Sequence, residues 1–109
     1  MIDVVYEISC KNCEKVYIGQ TGRYIKRRIG EHKSDIKSGD EATGLSSHII
    51  NNNGHSMNWE KFKILNKESN DIKRLYLESF QIASKNNTMN NQDDYKNCNA
   101  IYKNVLNKF

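Results

Sequence analysis

Tyr6 and Tyr17 are the first side chains in this sequence whose type and placement could do chemistry. Each lies in a short β-branched and aromatic run, residues 3–9 and 15–20, so neighbouring strands would present two phenols to one site. A free phenol has a pKa of about 10 and serves as a base only where a metal or cations lower that value. Arg28 and His32 follow at i,i+4 spacing, which stacks them on one helix face and suits them to hold a phosphate through the guanidinium fork. Glu78 has Leu75 and Ile82 as its helical neighbours, and a carboxylate among apolar side chains needs a partner or a metal. Mg²⁺ takes one or two carboxylates together with water and phosphate. The competing expectations are half-buried strand aromatics, a surface Arg28, and a salt bridge from Glu78 to Arg74 or Lys73.

Cys10 and Cys13, with two residues between them, and His48 and His55, with six, form a second constellation. Such a set is compatible with a Cys₂His₂ zinc site, although the histidine spacing exceeds that of ordinary fingers. A disulfide, or unpaired cysteines beside solvated histidines, are the alternatives. Cys98 makes the cysteine count odd and nothing else has a secreted character, so the disulfide ranks last.

The two strand-like runs flank the polar connector Cys10–Glu14 and predict an antiparallel hairpin. Thr21 is suited to cap a helix in which Ile25, Ile29, His32 and Ile36 recur on one face. Gly39 is placed for the left-handed position at its end. Residues 41–53 read as a second helix carrying Leu45, His48, Ile49 and Ile50, and residues 60–65 as a half-buried strand. A third helix after Ser69 or Asn70 is expected to turn Ile72, Leu75, Tyr76, Ser79, Ile82 and Ala83 inward. A polar loop over 86–94 and a short terminal helix over 98–106 complete the chain. The expected fold is α+β, in the order β-β-α-α-β-α, with a small antiparallel three-stranded sheet flanked by helices.

With 109 residues and 37% apolar content, the chain supports one domain with one modest core. No apolar run approaches a membrane span, and the N-terminus lacks the pattern of a signal peptide. The formal net charge is +4, and all of that surplus lies between Gln20 and Ser38. A basic stripe on a neutral body suits a polyanion. It equally suits a solvated helix face laced by pairs such as Arg27–Glu31.

Val4-Val5-Tyr6, Tyr17-Ile18-Gly19, Arg28 with His32, Glu78 and Asn90, taken in order, resemble the GIY-YIG nuclease superfamily over residues 4–92. The stretch Val16–Arg23 with Glu31-His32 is most similar to the endonuclease domain of Penelope-like retroelements. The first motif departs from the pattern by keeping only Tyr6. The resemblance implies a nuclease domain over residues 1–92, a C-terminal extension over 93–109, and hydrolysis of DNA phosphodiesters. It implies Tyr6 as base assisted by Tyr17 and His32, Arg28 on the phosphate, and Asn90 orienting the site. Glu78 would hold Mg²⁺ or Mn²⁺.

The resemblance also favours zinc at Cys10, Cys13, His48 and His55, since those relatives carry a similar set. Arg23, Lys26 and Lys33 are expected to make sequence-neutral phosphate contacts. DNA is the expected partner, with no membrane association, within a larger retroelement polyprotein acting inside the cell, the nucleus included. The rival expectation is a zinc-stabilised nucleic-acid-binding module without catalysis, for which Glu78 would be superfluous. A protein-interaction domain ranks last, because it explains neither the charge stripe nor the tyrosine pair.

Overall fold

Val4–Ser9 (β1) and Val16–Thr21 (β2) pair antiparallel, with Tyr6 opposite Gly19 and Ile8 opposite Tyr17. Lys63–Lys67 (β3) pairs on the other side of β1, giving the order β2-β1-β3. The computed structural model describes residues 1–90; the expected C-terminal helix and Cys98 lie outside them. Three helices complete the fold: Ile25–Ser38 (α1), Gly44–Asn51 (α2) and Asp71–Ala83 (α3). The α+β order is the one the pattern predicts.

β1 is central, and both its faces are buried, which explains its nearly unbroken apolar composition. On one face Val4, Tyr6 and Ile8 join Tyr17, Ile25, Ile29, Leu45 and Met57 in a core under α1 and α2. On the other, Val5 and Ile18 pack with Ile82, Leu65 and Leu77 of the β3–α3 side. Each fully buried aliphatic side chain of this kind contributes about 1.5–3 kcal/mol. Glu7 is also on the α3 face and is buried, paired with Lys85 at 3.0 Å and Lys63 at 3.9 Å.

Several local expectations change. Thr21 does not cap α1: it ends β2 opposite Val4, its Oγ1 accepts from the Arg23 amide, and Tyr24 is the N-cap. Gly39 does adopt the left-handed conformation (φ 76°), with Asp40 N–H donating to Asp35 O. α2 is shorter than expected because Thr43 and Ser46 form a reciprocal capping box. β3 begins at Lys63 because a turn closed by Lys61 N–H on Asn58 O occupies the preceding residues.

The helix α3 turns Arg74, Glu78 and Ile82 inward, leaving Ile72 48% and Tyr76 41% exposed and Ala83 at the surface. The ion pair on α1 is Arg28–Glu31 rather than Arg27–Glu31. Part of the expected 86–94 loop is ordered against the sheet. Val16 donates to Asn87 O and Met89 to Val16 O, so residues 87–89 cover the outer edge of β2.

Candidate active site and metal centre

Tyr6 and Tyr17 lie diagonally across the β1–β2 pair on the face toward α1, their ring centroids 6.4 Å apart. The residue directly opposite Tyr6 is Gly19. A Cβ there would lie 2.5 Å from Tyr6 Cζ and 2.8 Å from Tyr17 Cε2. Only a glycine leaves room for the phenol, which gives the Tyr-x-Gly spacing of β2 a steric cause.

His32 closes this pocket from α1, its ring 6.2 Å from Tyr6 and 5.2 Å from Tyr17. The Tyr6 hydroxyl and His32 Nε2 are 2.8 Å apart, and the Arg28 guanidinium also hydrogen-bonds the phenol. Burial raises the Tyr6 pKa well above that of a free phenol, more than the Arg28 charge lowers it. Burial, aided by the Arg28 charge, pushes His32 down to about 3. Tyr6 is therefore a neutral phenol and His32 a neutral imidazole. Arg28 donates to the Tyr6 oxygen, which also shares a hydrogen bond with His32 Nε2. The other ring nitrogen of His32, Nδ1, is buried with no hydrogen-bond partner.

Glu78, also buried, reaches this group from α3, and its charge adds to the upward pressure on Tyr6. Arg74, one turn before it, forms ion pairs with Asp3 and Asp71. Asn90 has a different placement from the phenols. Its side-chain Oδ1 accepts from Ile18 N–H at 3.0 Å and its Nδ2 donates to Ile18 O at 2.7 Å. The amide thus mimics one more residue of strand pairing along β2, between Tyr17 and Gly19.

An open cleft of about 510 Å³ adjoins Arg28, between the turn after β2 and the first turns of α3. Arg23, Arg28 and Arg74 line it together with Asp71. Lys26 is exposed on the first turn of α1, and the Lys33 ammonium lies 5.6 Å above the Trp59 ring. The sequence reading missed the cleft and the importance of Arg74. The available signal was that Arg74 and Glu78 are two charged residues at i,i+4.

Cys10, Cys13, His48 and His55 converge, their four ligand atoms all within 4.8 Å of one another. Cys10 forms a bridge with Met57 at the end of β1, and Lys11 N–H donates to Ser56 O, which brings His55 to the cysteines. Zinc bond lengths in a tetrahedron imply edges of about 3.5 Å from sulfur to nitrogen and about 3.4 Å between nitrogens. The observed separations are 3.5 Å for Cys10 Sγ–His55 Nδ1, 3.4 Å for Cys13 Sγ–His48 Nε2 and 3.3 Å for His55 Nδ1–His48 Nε2. The cluster has the donors and dimensions to hold a metal such as zinc. Burial lowers the His48 pKa and so favours the neutral, ligating imidazole.

Residues 3–90 match the profile of the GIY-YIG catalytic domain. No curated protein and no solved structure matches the chain.

Proposed function

From the premise that the chain belongs to the GIY-YIG catalytic-domain family, a family of nucleases, we propose that it is a metal-dependent endonuclease hydrolysing DNA phosphodiester bonds. The observation that carries this reading is the chain of hydrogen bonds Arg28–Tyr6–His32 with the buried Glu78 acting on the same phenol.

In that arrangement Tyr6, with the Arg28 charge beside it favouring the phenolate, gives its own proton to solvent and then takes the proton of the attacking water, while the neutral His32 holds the phenol oxygen in place. Tyr17 packs against His32 and holds its ring in place. Arg28 neutralises charge on the phosphate as the bond to water forms and the bond to the 3′-oxygen breaks. Glu78 is the carboxylate to hold Mg²⁺ or Mn²⁺, an ion that when bound supplies charge stabilisation at the leaving oxygen. Asn90 keeps the Tyr17–Gly19 segment of β2 in register. Arg23, Lys26 and Lys33 contribute contacts to the DNA backbone, Arg23 from within the basic cleft.

The cysteine and histidine cluster holds one structural zinc in this reading. Together with the Val16–Arg23 motif, it supports a relationship to the endonucleases of Penelope-like retroelements. The chain would then be one part of a larger polyprotein that reaches DNA in the nucleus, which fractionation of cells against a nuclear marker checks.

Nicking of supercoiled plasmid in Mg²⁺ tests the activity. The native chain should nick, and Glu78→Ala should lose at least about a hundredfold, as expected for several kcal/mol of lost charge stabilisation. Its thermal midpoint should stay close to native. Equal nicking by both proteins overturns the role of Glu78. Binding without nicking by both makes the chain a zinc-stabilised binding module.

A further inference from the structure

We propose that Arg74 is a positioning residue for this site, setting Glu78 against Tyr6 and Arg28 by anchoring the first half of α3. The inference rests on the endonuclease reading above.

Arg74 is only 4% exposed, yet its donors reach four parts of the chain. Nε donates to Gln20 Oε1 at 2.8 Å, at the end of β2. Nη1 donates to Asp3 Oδ1 at 3.3 Å, just before β1, and to Glu68 O at 3.0 Å, in the loop after β3. Nη2 donates to Asp71 on α3 itself. The guanidinium also abuts the turn after β2, since a Cβ on Gly22 would lie 2.9 Å from Nη2. Asp3 holds a left-handed backbone (φ 57°), and its carbonyl accepts from Glu68 N–H at 2.8 Å, so the same knot fixes the end of the sheet where β1 begins and β2 and β3 finish. Glu78 lies one helical turn beyond Arg74 on the same buried face. The turn that Arg74 touches leads directly into α1, which carries Arg28. One planar fork thus ties together the two elements whose separation defines the site. A lysine, with a single rotatable ammonium, cannot bind these diverging acceptors in the same geometry.

The test compares the native chain with Arg74→Lys and Asp3→Asn for plasmid nicking, for DNA affinity in buffer without added Mg²⁺ or Mn²⁺, and for the Mn²⁺ concentration giving half-maximal rate. Arg74→Lys should lower kcat by about 10- to 100-fold, the effect of a displacement near 1 Å at a remote support. The Mn²⁺ requirement should rise, and DNA affinity without added Mg²⁺ or Mn²⁺ should stay within about twofold, since the phosphate contacts are untouched. Asp3→Asn should move kcat and Mn²⁺ requirement in the same direction to a smaller extent, and it carries the test if Arg74→Lys does not fold. Folded variants with native kcat and Mn²⁺ requirement, whatever their melting temperature, overturn the inference and leave the endonuclease reading standing. Absence of nicking by the native chain removes that reading itself.

Discussion

His32 is fully buried with one ring nitrogen on Tyr6 and the other without a partner, so taking up a proton there is unfavourable. Its pKa is about 3 in the folded chain against an ordinary 6.5. Between these values the unfolded chain binds a proton that the folded one does not, so stability is fully present above pH 6.5 and is lost as pH falls toward 3. The loss from this residue approaches roughly 4–5 kcal/mol. Urea midpoints measured from pH 7 to 4 should fall more steeply for the native chain than for His32→Gln. Equal slopes would remove the buried neutral imidazole from the account. At this scale Tyr6, Tyr17, Arg28, His32 and Glu78 stood out by residue type and, as an ordered set, by the family resemblance, and the fold brings them to one place. Arg74 was not, because its acceptors Asp3, Gln20 and Glu68 are brought to it only by the fold. Asn90 was placed only by the resemblance to the nuclease family, and its pairing with the Ile18 backbone is a property of the sheet edge that no local pattern encodes.

The hairpin is the element on which the phenols depend, and Gly19 is its most constrained position. Gly19→Ala must push a Cβ into the Tyr6 ring, which is enclosed and cannot swing away. The variant should lose about 1–3 kcal/mol of stability, and its nicking should fall with the displaced phenol. Gly30→Ala is the control, with nothing within 4 Å of the added Cβ on α1. It should stabilise by about 0.5–1 kcal/mol through helix propensity. Thermal melts of the two variants check both directions at once. The strands and helices themselves were readable from periodicity. The inward face of α3 was readable only in part: apolar spacing found the buried Ile82 and the half-buried Leu75 but also pointed to Ile72 and Tyr76, which the inward turn of Arg74 and Glu78 leaves exposed. Thr21 misled for a similar reason, since a hydroxyl before a helical pattern does not reveal that its residue still belongs to a strand.

The two centres of the molecule share one strand. Tyr6 and Cys10 project from the same face of β1, and both belong to the core that includes Met57. Metal analysis of the untagged protein should find about one zinc per chain, the stoichiometry of a single Cys₂His₂ site. Its removal by chelation should lower the melting temperature by more than about 10 °C, since 1 kcal/mol corresponds to roughly 4–8 °C in a domain of this size. A folded, reduced sample without zinc ends that assignment. On the outer surface, Arg23→Ala should reduce the slope of log affinity for DNA against log salt by about 1, one phosphate contact fewer. An unchanged slope would remove Arg23 from the DNA interface.

The strip at 87–90 along β2 also imposes an order in time. Asn90 meets Ile18 across 72 residues of sequence, and Val16 is paired by Asn87 and Met89 over a similar distance. During synthesis the hairpin, α1 and even Glu78 leave the ribosome before that edge can close. A chain broken off anywhere upstream therefore leaves the outer edge of β2 at Val16 and Ile18 without these partners. The group of side chains around Tyr6 therefore gains its last supporting contact only after residue 90 has been translated, and the proposed cleavage would await that step.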